Sequence, residues 1–186
     1  MTLSGSSWVS KFPTSTDVEA LNSPFRENVK RFIAALRAAG ADLRIAATYR
    51  PAERAFLMHY AFRVAREGLS PASVPTNAAI DIDWCHRKAD NSIDLDASRQ
   101  AAEDMVQGYD IAFRPALSSN HTHRLAIDMT IGWSSDSLIV ANASGKAVKI
   151  TSTPHTGRNA DLIAVGATYK VIKLVSDPPH WSFDGH

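Results

Sequence analysis

Ser119-Asn120-His121-Thr122-His123-Arg124-Leu125-Ala126-Ile127-Asp128 is the stretch on which the reading of this chain turns. A polar segment, 118–124, runs directly into an apolar one, 125–131, that reads as a strand. Asp128 is the fourth residue of that strand and lies between Ile127 and Met129. A carboxylate in such a setting is costly unless a cation or hydrogen bonds compensate it. His121 stands in the polar turn just before. A second segment has the same character: in Asp177-Pro178-Pro179-His180-Trp181, two prolines stiffen the backbone between a carboxylate and an imidazole.

Outward from there, the chain alternates helices and strands without a strict βαβ order. Ser23 and Pro24 read as the N-cap and first position of a helix whose apolar face is Val29, Phe32, Ile33, Leu36 and Ala39, with Gly40 as its stop. A strand is expected over 43–49, a helix over 52–67, and a helix from Asp96 to Gly108. Leu138–Val140 and Ala147–Ile150 flank Asn142-Ala143-Ser144-Gly145 and read as a hairpin. A short helix is expected from Asn159, and 169–175 reads as the last strand. Residues 69–95 read as a loop with strand-like alternation at 79–84, and the first 22 residues as an irregular lead-in. The pattern predicts one α+β domain over 1–186, with a small antiparallel sheet flanked by helices.

Composition narrows the function. With 186 residues and 45% hydrophobic content the chain can bury a core. Lys plus Arg is 20 against 19 for Asp plus Glu, so there is no basic excess for nucleic acid. The longest run without a charged residue is 68–80, too short and too rich in Pro and Ser to insert in a membrane. The first ten residues lack the pattern of a signal peptide, so the expectation is a chain cytoplasmic as made, released to the cell wall if it acts there. The single Cys85 forms no internal disulfide and reads as a small hydrophobe, neither catalytic nor a ligand. His186 reads as a mobile end.

The motif Ser119-x-His121 followed by Ala126-x-Asp128, then Asp177-x-x-His180, resembles the D-alanyl-D-alanine carboxypeptidase family of zinc peptidases. That family includes D-Ala-D-Ala dipeptidases and the L-alanyl-D-glutamate endopeptidases of phage lysins. Thr48-Tyr49-Arg50-Pro51, followed by Glu53, is similar to its upstream Tyr-Arg pair, and the resemblance spans about residues 25 to 183. Where the family motif has Gly this chain has Arg124, so a turn needing φ > 0 there strains that residue or is built otherwise. Pro179 replaces an aromatic, and Asp177 stands where many members carry Glu.

The resemblance implies a hydrolase of the cell wall, a carboxypeptidase or endopeptidase of endolysin type, holding one zinc ion per chain. His121, Asp128 and His180 would be its ligands, two imidazoles and a carboxylate that leave a fourth position for water. Asp177 would be the general base. Arg50 would hold the scissile carbonyl oxygen as it becomes an oxyanion, or else a substrate carboxylate. Ser119, Tyr49 and Trp181 would line the substrate site. The implied partner is a peptidoglycan peptide, with no nucleic acid, no membrane insertion and a monomeric chain. His123 is a rival ligand, because His-x-His puts both rings on one side of an extended chain. Two other readings stay open: a zinc-containing binding module of the same fold without chemistry, and a structural domain of a phage tail or envelope machine.

Overall fold

The computed structural model describes residues 1–186. Its first elements are β1 (Thr2–Leu3), α1 (Phe25–Ala38), β2 (Asp42–Ala47), α2 (Ala52–Arg66), β3 (Ile82–Asp83) and α3 (Leu95–Gly108). After these come β4 (Ala126–Gly132), β5 (Leu138–Ala141), β6 (Ala147–Ile150), α4 (Ala160–Thr168), β7 (Ile172–Lys173) and β8 (His180–Ser182). The class is α+β, as the sequence predicts. The contacts group into two compact units, each discontinuous in sequence: residues 1–13 with 51–118, and residues 14–50 with 119–186.

In the first unit α2 and α3 bury a shared core that includes Leu57, Tyr60 and Val64 against Ala102, Met105 and Val106. Asp94 caps α3 by accepting the Ala97 amide, so the helix starts just ahead of the expected Asp96. β1 pairs with β3 in parallel. The beginning of the chain is therefore not a loose lead-in. Trp8 is buried in the α2–α3 core, its indole donates to the Leu3 carbonyl, and the Tyr109 hydroxyl donates to the Trp8 carbonyl. An aromatic ring supplies enough burial to order a short segment.

The second unit holds an antiparallel sheet in the order β2-β4-β8-β7, and β5 and β6 form the expected hairpin. Helix α1 presents Val29, Phe32, Ile33 and Leu36 to the core, as its periodicity predicts, and adds Phe25 at its first position, while Ala39 falls at its C-cap. Gly40, at φ 81°, ends the turn after it. On the sheet, Ile127, Met129, Ile131 and Trp181 join that core, together with Leu162 and Val165 of α4. Gly166 is what lets α4 lie this close: a Cβ there would stand 2.7 Å from the Trp181 ring. Alternation along the strands sends Asp128, Thr130 and His180 to the opposite face of the sheet.

The last strand differs from the expectation. Tyr169 ends α4 instead of opening a strand, and Lys170 follows at φ 58°. Only Ile172–Lys173 pair as β7, and a further strand, β8, comes after the Asp177–Pro179 turn. β8 is too short to announce itself by composition, and its place is set by pairing with the middle of the sheet.

Candidate metal centre

The 119–125 segment folds as a tight turn. The Leu125 amide reaches back to the Asn120 carbonyl at 2.7 Å, and Thr122 closes both backbone groups of Ser119. Arg124 adopts φ 62°, so the strained alternative raised by its replacement of glycine is the one that occurs. Its guanidinium lies 4.1 Å from the centre of the half-buried Tyr49 ring, an attraction that offsets part of the strain. The turn delivers His121 to the sheet, where Asp128 and His180 stand opposite one another in the β4–β8 pairing.

The three side chains converge. His121 Nε2 and His180 Nδ1 each lie 3.1 Å from Asp128 Oδ1 and 3.2 Å from one another. Three donors held about 2.0–2.1 Å from one tetrahedral ion would be roughly 3.3 Å apart, so the spacing is near what a small metal ion requires. His121 and His180 are 4% and 7% exposed.

Their outer nitrogens decide the protonation. His121 Nδ1 lies 2.8 Å from the Thr48 carbonyl and His180 Nε2 lies 3.1 Å from the His186 carbonyl. Carbonyls only accept, so both outer nitrogens donate. In the neutral rings His121 Nε2 and His180 Nδ1 then carry bare lone pairs, and both face a carboxylate. Three converging acceptors repel unless a cation lies between them, either a proton on a ring or a metal ion. Burial pushes the Asp128 carboxyl up, but hydrogen bonds and charge from the two imidazoles outweigh it and hold it well below the usual carboxylate range. Burial likewise opposes a proton on His180, yet Asp128 chiefly, with the His186 carbonyl and the charge of Asp177, raises its affinity for one. The group could hold a metal ion, with outer hydrogen bonds of the kind that orient metal-bound histidines.

The other predicted residues fall in different places. The Arg50 amide donates to the His121 carbonyl at 3.2 Å, which ties its backbone to the turn. Ser119 Oγ is buried without a hydrogen-bond partner. Asp177 opens the turn before His180, accepts the His180 amide at 3.1 Å through its carbonyl and leaves its side chain exposed. Trp181 does not line a substrate site: it is fully buried and packs against Phe32, because strand alternation turns it to the face opposite His180. The rival His123 is exposed and outside the converging group. Cys85 is buried in the other unit, and His59, His86 and His155 engage Pro115, Ser4 and Trp133 respectively.

Sequence reasoning missed Lys173. It is 6% exposed, and its ammonium donates to the carbonyls of Leu174, Asp177 and His180 at 2.6, 2.5 and 2.9 Å. It thus holds together the turn that carries Asp177 and His180. The available signal was a charge between Ile172 and Leu174, the same signal that marked Asp128. His186 was also misjudged: its carbonyl receives Asn120 as well as His180, and its amide donates to Asp184. Compared with models of known protein families, with curated proteins and with solved structures, the chain matches none.

Proposed function

We propose that this chain is a zinc metallopeptidase that hydrolyses a peptide bond in the stem peptides of peptidoglycan. The observation that carries the reading is the convergence of His121, Asp128 and His180 with both outer imidazole nitrogens already committed to carbonyls. Two imidazoles and one carboxylate are a donor set that suits zinc and leaves a position open. Zinc held by His121, Asp128 and His180 would supply a Lewis acid that activates water for attack. The substrate class comes from the motif resemblance.

The chain's own residues divide the remaining work. Asp177 takes a proton from the attacking water as its oxygen bonds to the scissile carbonyl carbon. It returns that proton to the amine as the C–N bond breaks. Arg50, anchored through its amide to the His121 carbonyl, stabilises the negative charge developing on the carbonyl oxygen. Ser119 Oγ, buried with its hydrogen bonds unused, is available to a substrate amide. On this reading the protein acts as a monomer on the cell wall.

The second reading is a zinc-containing module without chemistry, and the exposure of the Asp177 carboxylate speaks for it. Mass spectrometry of muropeptides incubated with the zinc-loaded protein separates the two. New products that disappear with a chelator and return with zinc support the peptidase. An unchanged digest with zinc bound at full occupancy supports the module.

A further inference from the structure

After β8 the chain turns back beside the converging imidazoles. Ser182 Oγ accepts the Gly185 amide at 2.8 Å and donates to Asp184 Oδ1 at 3.2 Å. The same carboxylate oxygen accepts the His186 amide at 3.1 Å. The turn is seated on β7, where a Cβ on Gly185 would stand 2.9 Å from Ile172 Cγ2.

One side chain grips this turn from outside. Asn120 Nδ2 carries two hydrogens and has two acceptors, Asp184 Oδ1 and the His186 carbonyl, each at 2.7 Å. That His186 carbonyl is also the one that accepts His180 Nε2 at 3.1 Å. Asn120 precedes His121 in the chain. It is therefore joined to one imidazole through the backbone and to the acceptor of the other through its amide. The 119–125 turn does not use that amide, because Leu125 bonds to the Asn120 backbone carbonyl and Thr122 closes on Ser119.

The grip decides which nitrogen of neutral His180 is bare. Without the His186 carbonyl, the ring proton is better placed on Nδ1, where Asp128 Oδ1 accepts it across 3.1 Å. The nitrogen that faces the centre is then blocked. With the carbonyl in place the proton stays on Nε2, and Nδ1 keeps its lone pair for a cation. The effect runs both ways. A metal ion on Nδ1 draws electron density from the ring and makes Nε2–H a stronger donor, so a filled centre holds the turn harder.

We infer that Asn120 and the 184–186 segment form a clasp that positions His180 for the metal, and that the metal in turn fastens the clasp. Asn120 and Asp184 are positioning residues, since neither belongs to the converging group. The inference rests on the metal-binding part of the proposed function and not on the peptide chemistry.

The test measures the zinc affinity of the 186-residue chain by competition with a chromogenic chelator, and its zinc-free melting temperature in parallel. Asn120→Ala, and a chain shortened to end at Phe183, should each bind zinc about 10–100-fold more weakly. Their zinc-free melting should stay within about 4 °C of the wild type. Asp184→Ala should share the loss, and Asp184→Asn, which keeps an acceptor oxygen for Asn120 and His186, should recover most of it. Zinc should slow hydrogen exchange of the Gly185 and His186 amides in the wild type, and less so in Asn120→Ala. Wild-type affinity in both Asn120→Ala and the shortened chain overturns the clasp. So does exchange at Gly185 and His186 that zinc leaves unchanged, the mark of a turn that serves only the fold. Zinc bound by no form, the wild type included, removes the metal centre itself, whereas zinc bound equally by all removes only the clasp.

Discussion

Two buried charged sites lie side by side in the second unit, and they are built in opposite ways. Lys173 directs its ammonium to three carbonyls and completes its own hydrogen bonding. The His121–Asp128–His180 group, around the neighbouring strand β8, gathers three acceptors, and the neutral rings turn their donors outward. Both place an ionisable residue in an apolar strand, so the sequence signal is the same. The difference lies in what is left over. The lysine finds all its partners inside the chain, whereas the three converging acceptors need a cation between them, a proton on a ring or a metal ion.

The largest effect that could break this contrast is loss of the external partner. His180→Ala, or His121→Ala with His180→Ala, should abolish stoichiometric zinc binding, measured by metal analysis after dialysis. Full zinc retention in the double variant would remove the centre from consideration. Next in size, Asp177→Asn should slow muropeptide cleavage by about 10²–10⁴ with zinc content and melting temperature unchanged. Equal rates for variant and wild type would show that the base lies elsewhere. Lys173→Met removes the internally satisfied charge and strands buried carbonyls, and should cost about 2–4 kcal/mol in urea unfolding of the zinc-free protein. A cost below about 0.5 kcal/mol would mean that water serves those carbonyls as well as the ammonium does.

The smallest effect sharpens the comparison through pH. In the zinc-free protein the folded pKa of His180 lies above its ordinary 6.5, so its contribution to stability is complete below that value and is lost as pH rises through the raised pKa. Asp128 is depressed from 3.8, so its contribution is present above that value and is lost only as pH falls through its low folded pKa. Melting temperatures taken from mildly acidic to alkaline pH should therefore decline without zinc. With zinc they should hold or rise, because protons no longer compete for the imidazole. Parallel curves with and without metal would contradict the placement of the proton.

Part of the candidate metal site was legible because its chemistry is expensive. An aspartate between Ile127 and Met129 demands an explanation, and the family resemblance singled out His121 and His180 from the seven histidines to provide one. The helices α1 and α3 were legible from spacing alone, since their buried faces recur at helical periods. What escaped was whatever depends on distant pairing. β8 has three residues and no local signature, so Trp181 was read beside His180 as a neighbour in a pocket rather than as its opposite across a strand. The carbonyls of Thr48 and His186 escaped for a different reason: every residue has one, and only the folded chain shows which of them meets an imidazole.

The outer hydrogen bonds have a mechanical consequence. His121 and His180 are 59 residues apart in the chain, and the stretch between them contains β4, the β5–β6 hairpin, α4 and β7. An ion shared by those two side chains ties that whole stretch into a ring. In a chain whose only cysteine is unpaired, it would serve as a detachable rivet. Chelation would then do more than silence a reaction. It would free a third of the molecule to breathe, and amide exchange across β4 and β8 would report the slack.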